Sequence, residues 1–225
     1  MNYLRGLWLV ARKDLMSETR TFERLSSMLF LALTILVIFN FALDFSRWQM
    51  ADLAAGVLWV TLPLAAVLAL HDSFRAERED QALWGLLLAP LDESAIYLGK
   101  LLSNLLLLLI LGALTLGLSA VFFNFDLVPV AAGLGLVVLL NALGFAALGT
   151  LFATLSSRAR RGEVLLHLLL LPVAIPLILA AVRSTTPLLA GRGLGEVRPW
   201  LQLTVAMDVI FTTAGVLLFG YLTEE

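Results

Sequence analysis

The chain has 225 residues, of which 60% are hydrophobic and 14% charged, with a formal net charge of −2. A water-soluble domain carries charge on about a quarter of its positions, so a mean hydropathy of +0.96 excludes an ordinary soluble fold and makes lipid the solvent to reason from. The absence of cysteine also excludes disulfides, thiolate metal sites and thiol nucleophiles.

Residues 1–24 do not read as a cleaved signal peptide. Arg5, Arg12, Lys13, Asp14, Glu18, Arg20, Glu23 and Arg24 interrupt any apolar core, and a signal requires that core uncharged, so the segment is expected to stay on the mature protein. Within it, Leu4, Leu7, Trp8, Ala11 and Leu15 recur at spacings of three and four while Arg5, Arg12 and Lys13 lie off that stripe. The pattern predicts an amphipathic helix over 3–15 lying in the headgroup plane on the cytoplasmic side. A basic juxtamembrane tail that sets topology accounts for the charges equally well.

From residue 25 onward, six apolar blocks follow: 25–43, 53–70, 101–123, 127–155, 164–182 and 200–222. Each approaches or exceeds the roughly 18–20 residues that cross about 30 Å of hydrocarbon as a helix, and all are too long and too uniformly apolar for barrel strands. The expected fold is therefore an all-α integral membrane domain over 25–225 with six transmembrane helices. Asn124, Phe125 and Asp126 form a short turn between the third and fourth, and a Gly/Pro/Thr-containing loop is expected over 183–199. Pro172 and Pro176 remove backbone donors mid-span and should kink the fifth helix.

Lys and Arg set the orientation. Five precede the first span, and Arg75, Arg78 and Lys100 fall in 71–100, with Arg158, Arg160 and Arg161 in 156–163; Arg47, Arg183, Arg192 and Arg198 lie on the other side. The positive-inside bias puts both termini and the 71–100 and 156–163 loops in the cytoplasm. Trp48, Trp59 and Trp200 fall near expected outer helix ends, where interfacial aromatics belong.

Residues able to carry chemistry are few. Gly99-Lys100 is followed by Leu101, so the Gly-Lys-Ser/Thr of a phosphate-binding loop is missing, and His71 and His167 are the only histidines. An enzyme is not expected, nor a metal site or a nucleic-acid partner. Asp208 lies eight residues past Trp200, about 12 Å below the outer interface at helical rise. A carboxylate at that depth faces protein or water and is a functional candidate by default; the alternative is an interhelical hydrogen bond to Asn or Thr. Asn104 and Asn141 read as interhelical hydrogen-bonding residues, and Ala142, Ala146, Gly149 and Ala153 as a small-residue packing face.

The 71–100 loop is the most informative stretch. Its first half alternates charges of both signs, and its second half, Leu83, Trp84, Gly85, Leu86, Leu87 and Leu88, is apolar but too short to cross a membrane. Pro90 ends it, and Asp92, Glu93 and Ser94 offer N-caps for the following helix. A short amphipathic helix flanked by charge suits docking into a groove on another protein; the plainer reading is a solvated loop with one interfacial turn.

Gly56-x-x-Trp59, then Phe74-Arg75, Asp80, Leu83, Leu86, Pro90-Leu91 and Lys100, together with Arg161-Gly162-x-Val164-Leu165-Leu166 and Leu171-Pro172-x-x-Ile175-Pro176, resemble the CcmB family, haem exporter protein B of cytochrome c maturation. The resemblance runs over about 56–180; the second pair of motifs is its specific part. It departs from the family at Gln81, where Gly is common, and at Trp84, where an acid is common.

The resemblance implies a type-2 exporter-like ABC permease subunit in the bacterial inner membrane, working as a homodimer with a separate CcmA-like ATPase. CcmC-like and CcmD-like subunits and a periplasmic CcmE-like haem chaperone are the further partners. ATP would be held by the partner and haem handled by the complex. Phe74, Arg75, Asp80, Leu83, Trp84, Leu86, Leu87 and Pro90 are the expected ATPase-coupling residues. A haem carrier offers axial ligands such as His, Met, Cys or Tyr, yet the expected outer loops hold Met50 and no histidine, and His167 sits near the cytoplasmic face. That favours ATP-driven release of a haem-loaded chaperone over haem passage. A permease for a lipid, drug or polysaccharide and a non-transporting assembly scaffold are the rival readings.

Overall fold

A computed structural model describes residues 3–43, 49–79, 92–158 and 162–224. The order is α1 (Tyr3–Thr21), α2 (Glu23–Ala42), α3 (Met50–Glu79), α4 (Glu93–Phe122), a 3-10 turn (Val128–Val130), α5 (Ala131–Arg158), α6 (Gly162–Leu189) and α7 (Leu194–Glu224). Among the described residues, the six helices from α2 to α7 are long and apolar enough to cross a membrane.

α5 is the central helix, packing on α3, α4, α6 and α7. Its sequence explains why: Ala142, Gly144, Ala146, Ala147, Gly149 and Ala153 put small side chains on several faces, and all are buried. Where lipid is as apolar as leucine, close approach of backbones rather than hydrophobicity selects the neighbours. Gly149 lies directly under Leu70 of α3, leaving no room for a Cβ. α2 and α7 lie at the periphery, with most of their spans unburied.

Both polar stretches are more helical than the polarity of the sequence suggests. α3 stays helical through the charged residues up to Glu79 and the next described helix, α4, begins at Glu93, so both ends of the expected 71–100 loop are helical. Phe74 and Arg75 fall in the last turns of α3; Asp80, Leu83, Trp84, Leu86, Leu87 and Pro90 lie outside the described residues. The expected 183–199 loop contracts to four residues, 190–193. Ser184 and Thr185 are buried in α6, and the helix stops only where Gly191 (φ 74°) takes the left-handed conformation and Arg192 N–H reaches back to the Pro187 carbonyl at 2.8 Å, a glycine-terminated cap. α6 runs through Pro172 and Pro176 as one helix, each proline removing one ladder hydrogen bond.

Trp59 is a correction. It is 2% exposed and its indole N–H donates to Thr185 Oγ1 at 2.7 Å, so it pins α3 to α6 inside the bundle rather than marking an interface. A buried indole finds a polar partner wherever one is in reach. Trp48 lies outside the described residues.

Candidate functional site

One layer of buried polar side chains lies at the end of the bundle that holds α1 and the start of α4. Asp92 caps α4, its carboxylate accepting the Ser94 N–H at 2.9 Å and the Ser94 hydroxyl, as the Asp92-Glu93-Ser94 run leads one to expect. The Ser94 hydroxyl, then its N–H, hold the Asp92 carboxyl below the usual range. Ser94 Oγ is also 3.0 Å from Tyr3 Oη of α1.

The next three turns of α4 touch three other helices. Glu93 lies over Gly220 of α7, and Tyr97, fully buried, lies over Gly215. The Tyr97 hydroxyl donates to the Ala147 carbonyl of α5 at 3.0 Å, and its ring centroid is 5.7 Å from that of Phe219. Gly99 admits α1: a Cβ there would stand 2.7 Å from Val10 Cβ and 2.8 Å from the Leu7 carbonyl oxygen. Asn104 donates to Thr150 Oγ1 at 3.0 Å, the interhelical role expected of it.

Lys100 belongs to this layer. Counted in sequence as a loop cation, it is 0% exposed, and its Nζ lies 3.5 Å from Asp14 Oδ2 of α1. Ser103 donates to the Lys100 carbonyl at 2.9 Å and lies 3.4 Å from the same Asp14 oxygen. One turn on, Glu18 replaces the missing cap of α2. Phe22 at the corner is left-handed (φ 51°) and has no capping side chain, so Glu18 Oε1 accepts the Leu25 N–H at 2.9 Å while Oε2 pairs with Arg24 Nε at 3.1 Å. A carboxylate there satisfies an orphan amide and faces the positive end of the helix dipole. Asp14, Leu15, Glu18, Arg24, Ser103, Asn104 and Leu107 line a small open crevice here.

The buried face of α1 therefore differs from the predicted stripe. Gly6, Val10, Ala11, Asp14 and Glu18 are buried, whereas Leu4 and Trp8 are exposed. Sequence reasoning missed Asp14 and Glu18 as an inward pair, although their spacing of three and seven from Ala11 places them on its face.

Asp208 is separate from this layer. It is 4% exposed, and neither carboxylate oxygen has a hydrogen-bond partner among the described residues, so the alternative of a bond to Asn or Thr is not made there. Asn141 likewise bonds within its own helix, to the Val137 carbonyl at 2.9 Å, leaving Oδ1 without a partner. Asp208 faces Gly144 of α5, where a Cβ would stand 2.5 Å from Oδ1 and 2.9 Å from Leu177 Cδ1 of α6. Gly144→Ala is expected to destabilise the bundle by about 1–3 kcal/mol through overpacking, and Asp208→Ala in the same chain to recover part of it, the Leu177 contact remaining; thermal unfolding in detergent reads both. His167 falls in the first turns of α6.

Six candidate spans, four of them packed around a fifth, the small-residue central helix, define a multi-pass membrane protein. A model of the CcmB protein family matches residues 5–220, and the chain belongs to the CcmB family. It is similar to the Heme exporter protein B of Pseudomonas aeruginosa, 28% identical over 211 residues that cover 91% of each chain. That of Escherichia coli K12 is 29% identical over 178 residues, 79% of this chain and 80% of the relative. That of Rhodobacter capsulatus is 35% identical over 133 residues, 58% and 59% of the two chains.

Proposed function

We propose that this chain is the permease subunit of a haem-exporter complex in the bacterial cytoplasmic membrane, driven by ATP hydrolysis on a separate CcmA-like ATPase. The observation that carries the reading is the family match over nearly the whole chain, with relatives called Heme exporter protein B. The N-terminal end of the bundle, with residues 80–91, is the cytoplasmic side in this scheme, and two copies serve the two ATPase sites. CcmC-like and CcmD-like subunits and a CcmE-like periplasmic chaperone complete the complex.

What supports coupling is where the connection leads. Residues 80–91 feed directly into the Asp92 cap, and the first turns of α4 are locked to α1 through Lys100 and Gly99, to α5 through Tyr97 and Asn104, and to α7 through Glu93 and Tyr97. Close-packed interiors transmit displacement rather than absorb it, so a push on the connection reaches three helices at once. The work done is haem export or release of the haem-loaded chaperone, and the shortage of axial ligands on the outer side favours release.

The test is purification of the complex in mild detergent, with identification of co-purifying subunits and of haem absorbance, beside cytochrome c maturation in cells carrying Pro90→Ala. A haem-handling protein in the preparation and impaired maturation are expected. Recovery of a different cargo protein would favour a lipid, drug or polysaccharide permease, and unchanged maturation a scaffold.

A further inference from the structure

The two faces of α1 are chemically segregated in a way that packing on α4 does not require. Its only acids, Asp14 and Glu18, are each 8% exposed and turned inward, where Lys100 and Arg24 pair with them. At about 100° per residue, Gly6, Leu7, Val10, Ala11, Asp14 and Glu18 occupy one arc of the helix. The other arc carries Leu4 (75% exposed), Trp8 (54%), Leu9 and Met16, and between them Arg5 and Arg12, both exposed. Lys13 lies at its edge, within 3.8 Å of Asp14 Oδ1 and with its side chain 47% exposed. The outer arc is thus apolar, aromatic and cationic, with no acid.

The height of this face is set by its connection. α1 ends one residue before α2, the first membrane span, and the corner residue Phe22 is 57% exposed. A helix tied at that level, presenting tryptophan and leucine beside arginine, meets the headgroup layer, where indoles settle and cations snorkel. Basic residues there are drawn to anionic lipid. Charge complementarity therefore selects the occupant, because burying the acids leaves nothing on the outer arc for a cationic or zwitterionic surface to prefer.

We infer that the outer face of α1 is a binding site for anionic phospholipid headgroups, with Arg5 and Arg12 on the phosphates, Lys13 at the rim, and Leu4, Trp8 and Leu9 in the acyl boundary. This goes beyond the permease reading and does not depend on the cargo.

The test uses the full-length chain in nanodiscs containing brominated phosphatidylglycerol or brominated phosphatidylcholine at equal mole fraction. Bromine quenches nearby indoles, and the difference between the natural chain and Trp8→Phe isolates the Trp8 signal. Preferential quenching by the anionic lipid is expected, with the preference falling about fivefold per cation removed in Arg5→Gln and Arg12→Gln and surviving in Arg5→Lys/Arg12→Lys. Those positions are exposed, so the bundle is left intact. Equal quenching by both lipids would reduce the face to an unselective apolar anchor and overturn the proposal. So would absence of quenching, with α1 amide protection gained only on adding other subunits, since a protein would then own the face.

Discussion

Lys100→Met is expected to destabilise the bundle by about 3–5 kcal/mol. Lys100 has no exposed surface, and removing its charge leaves Asp14, whose side chain is 10% exposed, without its buried partner on α4. Most of that loss is the cost of a carboxylate left with only the half-exposed Lys13 at 3.8 Å and the Ser103 hydroxyl, rather than the value of the pair. The double change Asp14→Leu/Lys100→Met, which removes both charges, is therefore expected to recover most of the stability. Unfolding in detergent followed for the two single variants and the double variant checks this. A Lys100→Met protein as stable as the natural one would mean that the pair is not buried as described.

Gly215→Ala is the second large effect. Tyr97 occupies the space over Gly215 so closely that a methyl group overlaps its hydroxyl and ring. The ring cannot retreat, because it is fully buried against Phe219 with its hydroxyl on the Ala147 carbonyl at 3.0 Å. Overpacking of about 1–3 kcal/mol then adds to loss of a hydrogen bond, about 1 kcal/mol. Tyr97→Phe, which gives up only the hydroxyl, is expected to cost about 1 kcal/mol, and Tyr97→Phe/Gly215→Ala to be milder than Gly215→Ala alone because part of the overlap is gone. The same unfolding measurement separates these cases. If Gly215→Ala matches the natural protein, α4 and α7 are not in contact there.

Much of the architecture was legible in sequence, for physical reasons that also mark where legibility ends. Lipid demands long apolar runs, so the cores of α2 to α7 could be read directly, and Asp92 could be read as a cap because capping is local. Helix ends could not: residues 72–79 and 183–189 are polar enough to leave lipid, but leaving lipid does not end a helix. Lys100 looked like a loop cation because its partner, Asp14, is 86 residues away. Trp59 was misplaced for the same reason, its partner Thr185 being 126 residues distant. Asp208 was singled out by depth alone; what it faces, Gly144 and Leu177, depends on which helices meet, and a single sequence does not contain that.

In the proposed coupling, the buried layer at the start of α4 is what the 80–91 connection would push against. Asp14 and Lys100 join α1 to α4, Glu18 joins α1 to the start of α2, Tyr97 carries the layer onto α5 and α7, and the glycines at 99, 149, 215 and 220 set the close approaches.

The most direct measurement of this account is retention of an ATP-hydrolysing subunit by the full-length chain purified from its own membranes, compared with Leu86→Asp. The account predicts that the natural chain retains the ATPase in stoichiometric amount. It also predicts that Leu86→Asp, by placing a charge in a docking contact worth about 2 kcal/mol or more, weakens retention roughly thirtyfold while leaving the bundle folded. A chain that retains no such subunit, or a Leu86→Asp variant that retains it undiminished, contradicts it.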